Sequence, residues 1–230
     1  MAVESIRTFI GLLRESPSAA VFNPWWEIDK QNDIGQNAPS VRRRQLAAYL
    51  RERLGKATLV VIGEALGYRG GHFTGIPMTS ERILVGKMRD NGIDPNQVFS
   101  SIKAQRTSKR ERCKNGFSES TATIVWGTLL RLGLEPEEFV LWNAFPWHSF
   151  DPRRGLLSNR MPNKAEQAAG LSVLKAFLEL FPRSQLVALG KIAAAQLEEL
   201  NENASCIRHP ASGGAKLFRL QIRQIVSELG

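Results

Sequence analysis

The chain has 230 residues, 43% hydrophobic and 23% charged, with a formal net charge of +9. That size fits one compact domain with a sizeable core, or one domain carrying a long insertion. The basic balance points to a polyanionic partner, nucleic acid before an acidic membrane. No apolar run is long enough to span a bilayer, and the short apolar patch in Ser5 to Arg14 is too broken by charge for a signal peptide. Cys113 and Cys206 lie far apart without CxxC spacing. They read as reduced thiols of a cytoplasmic protein, and they exclude an iron–sulfur cluster or a Cys-rich zinc site.

In chain order, residues 3–15 read as a helix, and Phe22-Asn23-Pro24-Trp25-Trp26 as an extended aromatic segment. Ser40 is placed to cap a helix over 41–54, with Leu46, Ala47, Leu50 and Leu54 on one face and Arg42, Arg43 and Arg44 outside. Gly55 ends it. Thr58 to Ile62 is a β-branched strand that stops at Gly63, and five glycines follow within residues 63–75. Such a strand end is where an open parallel sheet binds ligands, and glycines let a ligand approach the main chain.

A helical and basic insertion is expected at about 80–138. Ser80 to Asn91 reads as a helix ended by Gly92, and Thr121 to Leu132 as another closed by Gly133. Between them, six of the twelve residues 103–114 are Lys or Arg, so that segment is expected to be exposed. Phe139 to His148 is the second buried strand. Asn163 and Glu166 form a capping box for a helix over 164–181, which Pro182 stops. Gln185–Leu189 and Ser205–Arg208 are further strands, separated by a helix over Lys191–Leu200. Lys216–Leu229 is the last helix. Strands alternating with helices predict an α/β fold, a three-layer sandwich around a mainly parallel four-stranded sheet, as a single domain over 1–230.

Three polar groups fall at strand ends: Glu64, Asn143 and His209. In a parallel sheet these ends share one edge, so the three converge. Gly63-Glu64-Ala65-Leu66-Gly67 with Phe73-Thr74-Gly75, then Leu141-Trp142-Asn143-Ala144, then His209-Pro210-Ala211-Ser212, resembles the uracil-DNA glycosylase superfamily from about residue 20 to the C-terminus. The first loop is most similar to the Gly-Glu-Ala-Pro-Gly loop of the thermostable branch, with Leu66 in place of Pro and without that branch's cluster cysteines.

The resemblance implies a monofunctional enzyme that flips a base from DNA and hydrolyses its N-glycosidic bond. It would act as a monomer, without metal or organic cofactor, in a prokaryotic cytosol or nucleoid. Phe73 would stack on the base, and Asn143 would read its Watson–Crick edge. His209 would donate, as a neutral imidazole, to the base oxygen where charge grows. Gly63 to Ala65 would line the pocket and hold the water. Ser212, Gly213 and Gly214 would press on the duplex, with Arg208 and Lys216 meeting phosphate.

Two departures bear on chemistry. The best-known branch has a water-activating Asp where Ala65 stands, so Glu64 is the remaining carboxylate for that role. It also has a Tyr where Gly67 stands. Without that ring the pocket is expected to admit thymine-like or bulkier 5-modified pyrimidines, which raises action against hypermodified phage DNA as an alternative to repair. His148 and Asp151 are spare polar groups near Asn143, and Trp25 and Trp26 read as core or pocket wall. A DNA-binding module that has lost catalysis is the main rival. A nucleotide-binding protein is disfavoured because the loop is neither a dinucleotide fingerprint nor a Walker loop. A metal nuclease is disfavoured because the carboxylates are not clustered.

Overall fold

The computed structural model describes residues 2–229. In chain order the elements are α1 (Ala2–Leu12), β1 (Val21–Phe22), α2 (Ala38–Arg53), β2 (Leu59–Ala65), α3 (Gly71–Thr74), α4 (Glu81–Leu84), a 3-10 turn (Arg89–Asn91), α5 (Pro95–Val98), α6 (Ser120–Arg131), β3 (Phe139–Phe145), β4 (His148–Ser149), α7 (Lys164–Leu178), β5 (Gln185–Leu189), α8 (Lys191–Glu199), β6 (Ala204–Ile207) and α9 (Ala215–Ser227).

Four strands form a parallel sheet in the order β3-β2-β5-β6. Every residue of β3 and the first five of β2 are buried, which is why both read as continuous apolar runs rather than alternating ones. The β3→β5 and β5→β6 crossovers run one way across the sheet and β2→β3 the other. Right-handed connections therefore set α7 and α8 on one face and α6 on the opposite face, the expected three layers. Trp142 anchors the core: it stacks on Phe177 at 4.8 Å and meets Phe9 edge-on at 5.2 Å.

β3 lies at the edge of this sheet, yet its backbone is not left open. The Tyr49 hydroxyl accepts from Leu141 N–H at 2.7 Å, and Arg53 Nε donates to the Phe139 carbonyl at 2.9 Å. Arg53 also donates to the carbonyls of Tyr49, Val98 and Gln97, and its guanidinium lies 3.9 Å from the Tyr49 ring centre. Side chains of α2 thus stand in for a fifth strand and close an edge that would otherwise invite pairing.

Several expectations need correction. β2 continues through Glu64 to Ala65 because β3 keeps pairing with it, Ala65 beside Phe145. α2 begins at Ala38, one turn early, with Asn37 at its N-cap and Ser40 inside. Arg42 is not on the outer face but fully buried: it pairs with Asp33 and donates to the carbonyl of Pro24 and to Thr107. The run Ser80–Asn91 breaks into α4 and the 3-10 turn, with Gly86 at φ +71° between them. The basic segment 103–114 is pinned at its centre. Thr107 and Ser108 are buried, and both donate N–H at 2.9 Å to the buried Glu81 carboxylate. The aromatic run after Asn143 splits at Pro146, and His148 joins β4, which pairs with β1.

A buried polar chain ties these loops together. Asp29 meets His72 Nε2 at 3.1 Å, His72 and His148 touch Nδ1 to Nδ1 at 3.1 Å, and His148 Nε2 lies 2.7 Å from the Ser158 carbonyl. Burial pulls His72 down to about 4 and His148 to about 3.

Two measurements check this account. Arg42→Ala strands a buried carboxylate and should lower unfolding free energy in urea by about 3–5 kcal/mol, against about 0.5 kcal/mol or less for Arg44→Ala on the exposed face. Each histidine takes up a proton near pH 6.5 when unfolded but only near 4 or below when folded. Stability should therefore fall as pH drops from 6.5 toward 4, and a His148→Gln variant should show a flatter acid limb.

Candidate active site

A cavity of about 510 Å³ opens at the C-terminal ends of β2 and β3, where the sheet order reverses direction in sequence. Gly63, Glu64, Ala65 and Gly67 line it, together with Asn143 and His209. The structure thus brings the three strand-end groups around one space.

Gly63 and Asn143 are register partners across β2 and β3. A Cβ on Gly63 would lie 2.6 Å from the Asn143 side-chain amide, so only glycine lets that amide turn toward the cavity. Read with its oxygen toward the loop, the amide accepts from Leu66 N–H at 3.1 Å and donates to the Trp142 carbonyl at 3.1 Å. One N–H and one lone-pair direction remain, a donor–acceptor pair suited to the edge of a base.

His209 follows β6. Its Nδ1 accepts from Ala211 N–H at 3.1 Å, which leaves the ring proton on Nε2. Burial, with Arg208 beside it, holds the imidazole below its usual range, so it is neutral at pH 7 and donates through Nε2. Ser212 at φ +52° and Gly213 at φ +78° make the sharp turn that returns the chain to α9. Gly214 packs where a Cβ would lie 2.0 Å from the His209 carbonyl oxygen. Arg208, Ser212, Gly213 and Lys216 are exposed around this turn, and Gly214 is buried.

Glu64 is half-buried in the cavity wall, and desolvation raises its carboxyl. The opposite wall comes from residues that the strand-end pattern did not single out. Glu119, at the N-cap of α6, turns its carboxyl under the glycine loop: a Cβ on Gly70 would lie 1.8 Å from Oε2 and one on Gly67 3.4 Å from Oε1. Oε2 is buried without a partner, and burial pushes this carboxyl up to about 7. Asn159 stands beside it, accepting from Tyr68 N–H at 3.1 Å, and Arg160 is fixed by paired 2.7 Å hydrogen bonds to Glu166. The space beside Gly67 therefore has a polar border. Polar groups from distant segments border it, Glu119 Oε1 and the Asn159 amide lying within contact distance of a Cβ placed on Gly67.

Phe73 does not line the cavity. It is fully buried, with its ring stacked on Phe117 at 4.3 Å, because α3 turns it into the interior. Met78 reaches the cavity instead, with Sδ 3.4 Å from the Cβ position of Gly63. His148 belongs to the buried chain below, Asp151 pairs with Arg153, and Trp25 is core, donating to the Gly75 carbonyl. Among the described residues no three His, Cys, Asp or Glu side chains group as metal ligands, and no helix is long and apolar enough to cross a membrane.

A family model described as the uracil DNA glycosylase superfamily matches residues 53–225. The chain belongs to that superfamily. No curated protein matches the sequence. Among solved structures, the crystal structure of wild-type Pedobacter heparinus SMUG2 aligns with a TM-score of 0.63 at 13% identity, covering 99% of this chain and 97% of that one. At that identity the likeness carries the fold, and the superfamily match carries a DNA glycosylase-type function with DNA as partner.

The Glu119 carboxyl gives the site a measurable signature. The folded state keeps this proton to about pH 7, whereas the unfolded chain releases it near 4.5. Stability is therefore lost as pH rises through that window. Glu119→Gln should be as stable as the parent near pH 4.5 and more stable at pH 8, by on the order of 3 kcal/mol at most, in paired denaturation curves.

Proposed function

We propose that this superfamily member is a monofunctional DNA glycosylase that takes an extruded uracil-like pyrimidine and hydrolyses its N-glycosidic bond, leaving an abasic site. The observation that carries the reading is the meeting of Asn143 and a neutral His209 across one cavity. Extrusion places the base where the Asn143 amide pairs with its edge. Met78 replaces Phe73 as the residue laid against the base face, a polarizable side chain suited to a π surface.

As the bond from C1′ to N1 breaks, its electron pair moves into the base and onto the carbonyl oxygen. His209 Nε2–H donates to that oxygen and stabilises the charge. Water forms the new bond to C1′, held by the backbone of Gly63 to Ala65. Glu64, the carboxylate nearest that backbone, takes the water's proton, which passes finally to the departing base. The exposed turn of Arg208, Ser212, Gly213 and Lys216 meets the DNA backbone, and the +9 net charge supplies attraction independent of sequence. The two free cysteines fit a reducing cytosol.

The polar wall over Gly67 sets the base preference. A methyl at the pyrimidine 5-position meets a carboxyl and an amide, so thymine is a poor substrate, whereas a polar 5-substituent finds hydrogen-bond partners. Single-turnover assays on DNA bearing uracil, thymine, hypoxanthine or a 5-hydroxymethylated pyrimidine, followed by alkali cleavage, test this. Uracil should yield abasic sites. His209→Ala should lose about 10²–10³-fold in rate. Gly63→Ala should lose at least about tenfold while remaining folded, because it displaces Asn143. Salt-sensitive DNA binding with no cleavage of any base would instead favour the noncatalytic reading.

A further inference from the structure

A second concave site lies between α1 and α2, a groove of about 650 Å³ that shares no lining residue with the base cavity. Ile6 and Ile10 of α1, Ala47 of α2 and the Trp26 ring make its apolar floor. Gly11 keeps it open: a Cβ there would meet nothing within 4 Å. Five arginines rim it: Arg7 from α1, Arg14 just past its end, and Arg43, Arg44 and Arg51 from α2.

Several arginines of the interior and its margin are consumed. Arg42 pairs with Asp33, Arg160 with Glu166, and Arg53 is spent on backbone carbonyls. Among the described residues none of the five rim arginines forms a salt bridge. Arg43 lies 4.8 Å over the Trp26 ring and donates to the Trp25 carbonyl, and Arg44 donates to the Gln105 amide oxygen. The lining on α2 runs from Ser40 to Arg51, about 16 Å along the helix axis.

We propose that this groove docks an acidic peptide segment of another protein, one that carries bulky apolar side chains among its carboxylates. The carboxylates meet the arginine rim, and the apolar side chains fill the floor between the helices. A nucleic-acid backbone satisfies only half of this site, because phosphates gain nothing from its apolar floor. A second copy of the chain is disfavoured by the +9 charge on each partner.

The test uses a fluorescein-labelled peptide of Asp and Glu with Leu and Phe at helical spacing, a control peptide with Ser replacing Leu and Phe, and a labelled single-stranded oligonucleotide, each titrated with the full chain by anisotropy. The apolar-bearing peptide should bind saturably at micromolar concentration, at least about tenfold tighter than the control. Gly11→Leu fills the floor without changing charge and raises helix propensity. It should abolish peptide binding and leave oligonucleotide affinity unchanged. Arg44→Glu with Arg51→Glu should weaken the peptide at least about tenfold. Equal binding of the two peptides, no binding by about 100 µM, or a matching loss of oligonucleotide affinity in Gly11→Leu overturns the proposal. None of these readouts depends on base excision, so they stand or fall apart from the glycosylase reading.

Discussion

The close approach of Gly63 to Asn143 is the constraint on which the site depends. Two parallel strands in register put these residues side by side, and the absence of a Cβ on one gives the amide of the other its place. The amide is then locked by Leu66 N–H and the Trp142 carbonyl, so its outward groups are pre-set before a ligand arrives. Preorganisation of that kind lowers the entropic cost of binding and keeps geometry within the tolerance chemistry needs.

The stiffness of this arrangement comes from buried polar groups rather than from apolar packing alone. Tyr49 and Arg53 complete the edge of β3, the strand that carries Asn143. Arg42 and Glu81 bind the loops around residues 24–33 and 107–108 to the core, and the Asp29–His72–His148 chain braces the segment leading to Asn159. Each buried charge has partners, as the cost of desolvating it requires. Among the described residues Glu119 stands apart: its Oε2 is buried without a partner behind the cavity wall, and burial raises this carboxyl to about 7 instead.

Charge is divided by role across the surface. The turn after β6 presents Arg208 and Lys216 beside the cavity, whereas the α1–α2 groove gathers arginines around an apolar floor away from it. A single net charge of +9 is therefore spread over two chemically different surfaces, an exposed turn proposed to meet phosphate and a groove proposed to meet carboxylates next to apolar groups.

The sequence alone determined the layered architecture, most element positions and the convergence of Glu64, Asn143 and His209. These are consequences of hydrophobic periodicity, of caps such as Asn163 with Glu166, and of the rule that parallel strands end on one edge. Tertiary structure decided the rest. Whether Phe73 or Met78 faces the cavity depends on how one short helix packs, and no local spacing encodes that. Arg42 reads as an exposed residue of an amphipathic helix because periodicity counts polarity and is blind to a buried partner such as Asp33. Glu119 stands far from the glycine loop along the chain, and only the fold sets its carboxyl against Gly67 and Gly70. Local pattern reports where a segment lies in the core, whereas the pairing of buried polar groups is a long-range choice made by packing.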